Sequence, residues 1–239
     1  MALYGQTNQK RIGRLDSGMQ IGQITAGNSS TVMSGSGIYF GNSLTVDNTH
    51  TKGVDRYGRY YQAITSALSG NNAGQTHGDQ AFRMDQQHAT YHAMSLSSVA
   101  SVRVFCGQIQ GTGVNFASCV DSDTLGAPGF GFQFSTPRGD TNWQFISWDG
   151  SNQTTTNTGV AAAATTLYQF EIDVLSTSAV SWKILDYTGA TLASGTATAT
   201  LPSATVAFLS AQAIETETTA TKGLFTYLIG AASQGFKKL

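Results

Sequence analysis

Residues 167–195 read LYQFEIDVLSTSAVSWKILDYTGATLASG, and their spacing decides the fold. Successive side chains of an extended chain point to opposite faces. Tyr168, Phe170, Ile172 and Val174 therefore share one side, and Gln169, Glu171, Asp173 and Leu175 the other. VSWKI repeats the period with Val180, Trp182 and Ile184 in phase, and Thr188 and Gly189 stand at a reversal, where a tight connection needs positive φ. The segment predicts a hairpin with one buried face.

The same two-residue period extends outward in both directions. In SVRVFCGQI it aligns Val102, Val104 and Cys106, and in GFGFQFS it aligns Phe130, Phe132 and Phe134. VAFLSAQAI and GLFTYLIGA close the series. The best helix candidate, DQAFRMDQQHATYHAM, also reads as a strand with His88, Thr90, His92 and Met94 on one side. With turn residues between the runs, the pattern predicts an all-β, antiparallel jelly-roll sandwich over residues 76–239. Residues 1–75 are dense in Gly, Asn, Ser and Thr, with short apolar pieces such as MQIGQI and SGIYFG. They read as an extended, irregular N-terminal arm that orders against a partner; the alternative is a set of irregular strands within the sandwich.

Composition narrows the function classes. Of the 239 residues 11% are charged, against about 25% in ordinary globular chains, and Lys plus Arg (13) nearly balance Asp plus Glu (14). That balance gives no electrostatic case for nucleic acid or an anionic membrane. Lys10, Arg11 and Arg14 form a local basic cluster, which reads as a solvated terminus or as contacts to an acidic partner. Cys106 and Cys119 lack metal-ligand spacing, and Cys106 reads as a buried free thiol. No run approaches the roughly 18 apolar residues of a membrane span. No leader is legible at the start MALYGQTNQKRIGR, so synthesis in a host cytoplasm is expected.

Each candidate for chemistry meets a structural alternative. On a helix, Asp85, His88 and His92 would offer three metal ligands. On a strand the two histidines lie two pleats apart, too far to share an ion, and read as polar surface or a subunit contact. Glu171 and Asp173 invite comparison with sandwich-fold glycosidases that carry Glu-x-Asp-x-Glu on a strand. Here the next positions are Leu175 and Ser176, so the second carboxylate at about 5–9.5 Å is missing, and the pair reads as an outward face. Glu215 and Glu217 read likewise as a solvated strand face. The RGD at Arg138–Asp140 reads as a hairpin cap. Trp143 and Trp148, with Asp149, are candidate glycan contacts, although the opposite parity of the two tryptophans sends one into the core. No Ser/His/Asp order, phosphate loop or zinc pair is present, so neither an enzyme nor a cofactor is expected.

From about residue 129 to 230 the order of strands resembles the concanavalin-like sandwich domains of tailed-bacteriophage structural proteins. The resemblance rests on GFGFQFS, WQFISWDG, a Thr-rich turn ending TNTGV, TTLYQFEIDV, and VSWKILDYTGATLASGTATATLP. It covers under half of the chain. It implies a non-enzymatic virion structural protein at the virion surface, foremost a homotrimeric capsid decoration (cement) protein. Such a protein would bridge copies of the major capsid protein or other virion proteins. The alternative it implies is a tail or baseplate fibre module that binds a host surface carbohydrate.

Overall fold

The computed structural model describes residues 38–39, 49–111 and 116–233. Among the described residues fourteen strands form two seven-stranded antiparallel sheets packed face to face. Sheet A runs β1 (Ile38–Tyr39), β4 (Asn71–Arg83), β13 (Ala207–Thr216), β6 (Val102–Gln110), β7 (Gly129–Ser135), β8 (Asn142–Trp148), β9 (Gln153–Ala161). Sheet B runs β12 (Thr191–Ala197), β11 (Ala179–Leu185), β10 (Tyr168–Ser176), β5 (His88–Leu96), β14 (Gly223–Ser233), β3 (Gly58–Ile64), β2 (Thr49–Asp55). This is the expected jelly-roll sandwich.

The hairpin of residues 167–195 has the register its periodicity demands, with Phe170 opposite Ile184 and Ile172 opposite Trp182. Its inward residues meet those of sheet A. Phe132 lies 4.8 Å from Phe170 and 5.8 Å from Trp182, and Phe145 stacks on Trp182 at 5.4 Å. Gly195 opens the space for that indole, because a Cβ there would stand 2.4 Å from the Trp182 ring. Gly189 takes φ +88 at the following turn, where the Asp186 carboxylate accepts the backbone N–H groups of Thr188 and Ala190 at 2.8 and 3.0 Å. The apolar core is densest between β6–β9 and β10–β12 and reaches the other strands through Met94, Leu96, Phe208, Ile214 and Leu224.

One part of the interior, between β5, β6, β13 and β14, is polar. His88 and His92 sit two pleats apart on the inward face of β5, with 1% exposure each, so neither is the polar surface expected of it. His88 Nε2 meets the Gln108 amide at 2.8 Å, and burial lowers its pKa, keeping the ring neutral. The Gln212 amide faces His92 Nδ1 at 3.3 Å and donates to the Leu228 carbonyl at 2.9 Å, while its oxygen accepts the Thr226 hydroxyl at 2.5 Å. These groups tie β13 of one sheet to β5 and β14 of the other.

The expected arm of residues 1–75 is too long. Residues 49–64 form the β2–β3 hairpin of sheet B, with Tyr61 and Ala63 buried, and the expected boundary at 75–76 falls inside β4. Gly53 and Lys52 hide the alternation of this stretch in the sequence. The outer arm, with Lys10, Arg11 and Arg14, lies outside the described residues. The helix candidate resolves into the end of β4, a 3-10 turn at Met84–Gln86 and β5. Among the described residues no helix is long and apolar enough to cross a membrane.

Candidate functional site

The two outer faces of the sandwich differ in what covers them. On sheet A, residues 116–128, including the short helix α1 (Ala117–Val120), lie over the strands. Phe116, Cys119, Val120 and Leu125 pack against Phe105, Ile109, Ile146, Leu209, Ala211 and Ala213. Both cysteines are buried free thiols, and burial raises the pKa of each.

A polar cluster pins one end of this cover. The strand register aligns Asn72, Glu215, Arg103 and Ser135 in one cross-strand row on the outer face. Arg103 donates through Nε to Asp123 at 3.1 Å and through Nη1 to Glu215 at 3.0 Å and to Glu217. Asn72 donates to Asp121 at 3.2 Å, and the Ser135 hydroxyl donates to Asp123 at 2.5 Å. Glu215 is 3% exposed, which overturns its reading as a solvated face: the cover and its aspartates close over it. Burial, then the neighbouring Asp121 and Glu217, push its pKa up to about 9, so the folded protein holds a proton there at neutral pH. Among the described residues no group of three or more His, Cys, Asp or Glu is placed to hold a metal ion.

Next to it, the RGD is consumed internally. Arg138 pairs with Asp140 at 2.5 Å and donates to Gln133 at 2.6 Å, and Gly139 takes φ +83 in the β7–β8 turn. Over β4, β13, β6 and β7 the cover and its ion pairs close much of the outer face of sheet A, while Asn72 Oδ1 and Glu215 Oε2 are buried there without a hydrogen-bond partner among the described residues.

Sheet B leaves aromatic side chains at its outer surface. The turn between β2 and β3 carries Arg56 and Tyr57 to the loop before β10, where Arg56 Nη2 and the Tyr57 hydroxyl donate to the Thr165 carbonyl at 3.1 and 3.3 Å. A continuous series of rings starts there. Tyr187, on the β11–β12 turn, lies 5.8 Å from Tyr57; Tyr57 lies 6.1 Å from Tyr227; Tyr227 lies 5.8 Å from Tyr60; and Tyr60 lies 5.0 Å from Phe225. The inner rings are mostly edge to face, a favourable packing arrangement. The Tyr227 hydroxyl donates to Asp55 at 2.5 Å, and burial, reinforced by that carboxylate, raises its pKa.

The rim of the series is open. Tyr187 is 50% exposed, and the exposed Arg56 guanidinium lies 4.6 Å over the Tyr57 ring, a cation–π geometry. Among the described residues Arg56 has no carboxylate in salt-bridge contact. The Tyr57 and Tyr187 rings and the Arg56 guanidinium meet on this ledge, with Arg56 Nη2 held by the Tyr57 hydroxyl at 2.7 Å and the Thr165 carbonyl at 3.1 Å.

The tryptophans expected to contact glycan do not form a site. Trp143 is fully enclosed, its ring 5.0 Å from Phe170, so it is a core residue. Trp148 has the opposite parity and packs partly buried beside the cover. Asp149 is exposed, but its carboxylate is occupied by the backbone N–H groups of Ser151 and Asn152 at 2.7 and 2.8 Å, which lower its pKa. Glu171 and Asp173 lie on the outer face of sheet B, where Lys183 pairs with Glu171 at 3.2 Å. The ledge escaped the sequence reading, although VDRYGRYYQ, residues 54–62, gathers three tyrosines and two arginines around one turn.

The fold is a concanavalin-like β-sandwich. Residues 72–226 match the family described as SO2946-like, C-terminal domain, and the chain belongs to that family. The protein of unknown function SO2946 from Shewanella oneidensis MR-1 shares the fold over 98% of this chain and 95% of that chain, at 12% identity and a TM-score of 0.62. An endo-beta-1,4-glucuronan lyase from the fungus Trichoderma reesei does so over 82% of this chain and 94% of that one, at 9% identity and a TM-score of 0.57. The carbohydrate recognition domain of Emp47p covers 78% of this chain and 87% of that one, at 6% identity and a TM-score of 0.51. No curated protein matches the chain. The lyase overturns the expectation that this sandwich is not an enzyme, because the same fold houses a polysaccharide-cleaving one.

Proposed function

We propose that the protein recognises an anionic glycan on the ledge formed by Arg56, Tyr57 and Tyr187. The observation that carries this is the guanidinium held over the Tyr57 ring beside the half-exposed Tyr187, with no carboxylate of the described residues in contact with it. A pyranose stacks its C–H face on such a ring, and an acidic sugar places a carboxylate within reach of a fork of donors suited to it. The shared fold with a carbohydrate recognition domain and with a lyase named for a glucuronan is compatible with this. Titration calorimetry with uronic-acid oligosaccharides, against neutral ones of equal length, tests the proposal. Tyr187→Ala and Arg56→Gln are each expected to weaken binding about tenfold, equivalent to ~1.4 kcal/mol. Equal affinity for neutral and acidic chains, or unchanged affinity in both variants, overturns it.

The setting proposed for this activity is the surface of a virion, on the strength of the strand-and-turn resemblance to tailed-bacteriophage proteins; a tail or baseplate fibre module is the form that a glycan site suits best. The second reading, capsid decoration by a homotrimer on the major capsid protein, rests on the same resemblance. Purified undecorated capsids distinguish the two: decoration requires saturable binding of the full chain to them, whereas a fibre module leaves them bare.

A further inference from the structure

One lateral side of the sandwich is built unlike the other. There, among the described residues, β9 ends sheet A and β12 ends sheet B, and the two strands lie against each other. No position in either strand is buried. The sequence has no charged residue between Asp149 and Glu171, and none between Asp186 and Glu215, so both edges are free of charge along their whole length. An edge strand presents unpaired backbone N–H and C=O groups, and proteins ordinarily blunt such edges with charged side chains, very short strands or proline. On the opposite side the last strands among the described residues are β2, which ends in the charged Asp55, and the short β1, Ile38–Tyr39. On the β9–β12 side the blunting devices are bulges, at residues 158–160 of β9 and beside residue 192 of β12. They leave two regular stretches, Gln153–Asn157 and Ala193–Ala197.

We infer that this side is a self-association surface, on which a second copy of the chain continues both sheets. The occupant follows from the number of edges. A foreign extended peptide fills one strand position, whereas two edges that lie side by side match another sandwich with the same pair of edges. A two-fold axis passing between two copies sets β9 antiparallel to its counterpart and β12 antiparallel to its own. Every residue then meets an uncharged residue, so self-pairing brings no like charges together. The two regular stretches are centred on Thr155 and Gly195, and the axis is placed there. A twofold assembly departs from the threefold one expected from the sequence.

The full chain tests this by light scattering coupled to size exclusion at micromolar concentration. The expected result is twice the monomer mass for the unaltered protein, and a monomer for the double variant Thr155→Lys, Thr196→Lys, both at exposed edge positions, with an unchanged melting transition. Directly opposed residues of an antiparallel pair have Cα atoms about 4.5–5.5 Å apart, within the range of a disulfide. Thr155→Cys is therefore expected to cross-link under mild oxidation, whereas Leu68→Cys, exposed elsewhere, is not; the native thiols are buried and do not compete. A monomeric or trimeric wild type, a dimer that survives the two lysines, or a Thr155→Cys variant that fails to cross-link overturns the inference.

Discussion

The outer faces of the two sheets are covered to different degrees. Over sheet A, residues 116–128 add a second apolar cluster and an ionic clasp, and much of the face closes. Over sheet B, the aromatic rings pack against one another and the series ends at the surface, in Tyr187 and Arg56. A face buried under a covering segment is closed to a ligand, so the location of the proposed site follows from which face that segment covers. The contrast can be broken from the sheet A side and sharpened from the sheet B side.

The largest effect is expected from Phe116→Ala, which removes the main apolar contact of the cover. A buried Phe truncation costs about 3–5 kcal/mol, read from the urea midpoint. If the cover lifts, Cys119 becomes reactive toward a thiol reagent while Cys106, between the sheets, stays protected; equal reactivity of both would indicate global unfolding instead. Arg103→Ala should cost about 3 kcal/mol, because it leaves the carboxylates around Glu215 without their cation. A loss below about 0.5 kcal/mol, the level of an ordinary surface change, would show that the clasp is ornamental.

Glu215→Gln changes the pH dependence more than the stability at any one pH. The folded pKa of about 9 lies above the ordinary 4.5, so between these values the folded protein holds a proton that the unfolded chain releases. Stability therefore falls as pH rises through that window. Glutamine keeps the hydrogen-bonding shape without the proton, and the variant should lose less stability than the wild type between pH 5 and pH 9. Parallel curves would show that Glu215 is ionised in the folded state. The smallest structural effect is expected from Tyr187→Ala, within about 0.5 kcal/mol of wild type, since this ring is half exposed. A large loss there would make the ledge part of the core and would weaken its claim to be a binding surface.

The sheets were legible where alternation is strong and the turn chemistry is explicit. Tyr168 to Val174, Val180 to Ile184 and the reversal at Gly189 are local facts, and the register between β10 and β11 follows from them. The opposite fates of Trp143 and Trp148 were legible for the same reason, because parity decides the face. Parity does not say whether that face is wet. Glu215 alternates outward as a solvated residue would, and is buried because a segment about ninety residues earlier folds across it. His88 and His92 were placed on a common side but assigned to the wrong environment, because the amides that receive them, Gln108 and Gln212, come from the opposite sheet. The ledge joins two turns about 130 residues apart, a juxtaposition that no local pattern carries.

The polar part of the interior has a consequence for how the sheets stack. Between β6–β9 and β10–β12 the contacts are rings and aliphatic groups, which tolerate small displacements of one sheet over the other. The Gln212 amide, with Thr226, His92 and the Leu228 carbonyl, does not, because a shift of one residue would separate donor from acceptor inside the sandwich. Each buried group so stranded costs about 1–3 kcal/mol. The network works as a key cut for a single alignment: apolar packing holds the sheets together, and the amides select which of the possible alignments is the native one.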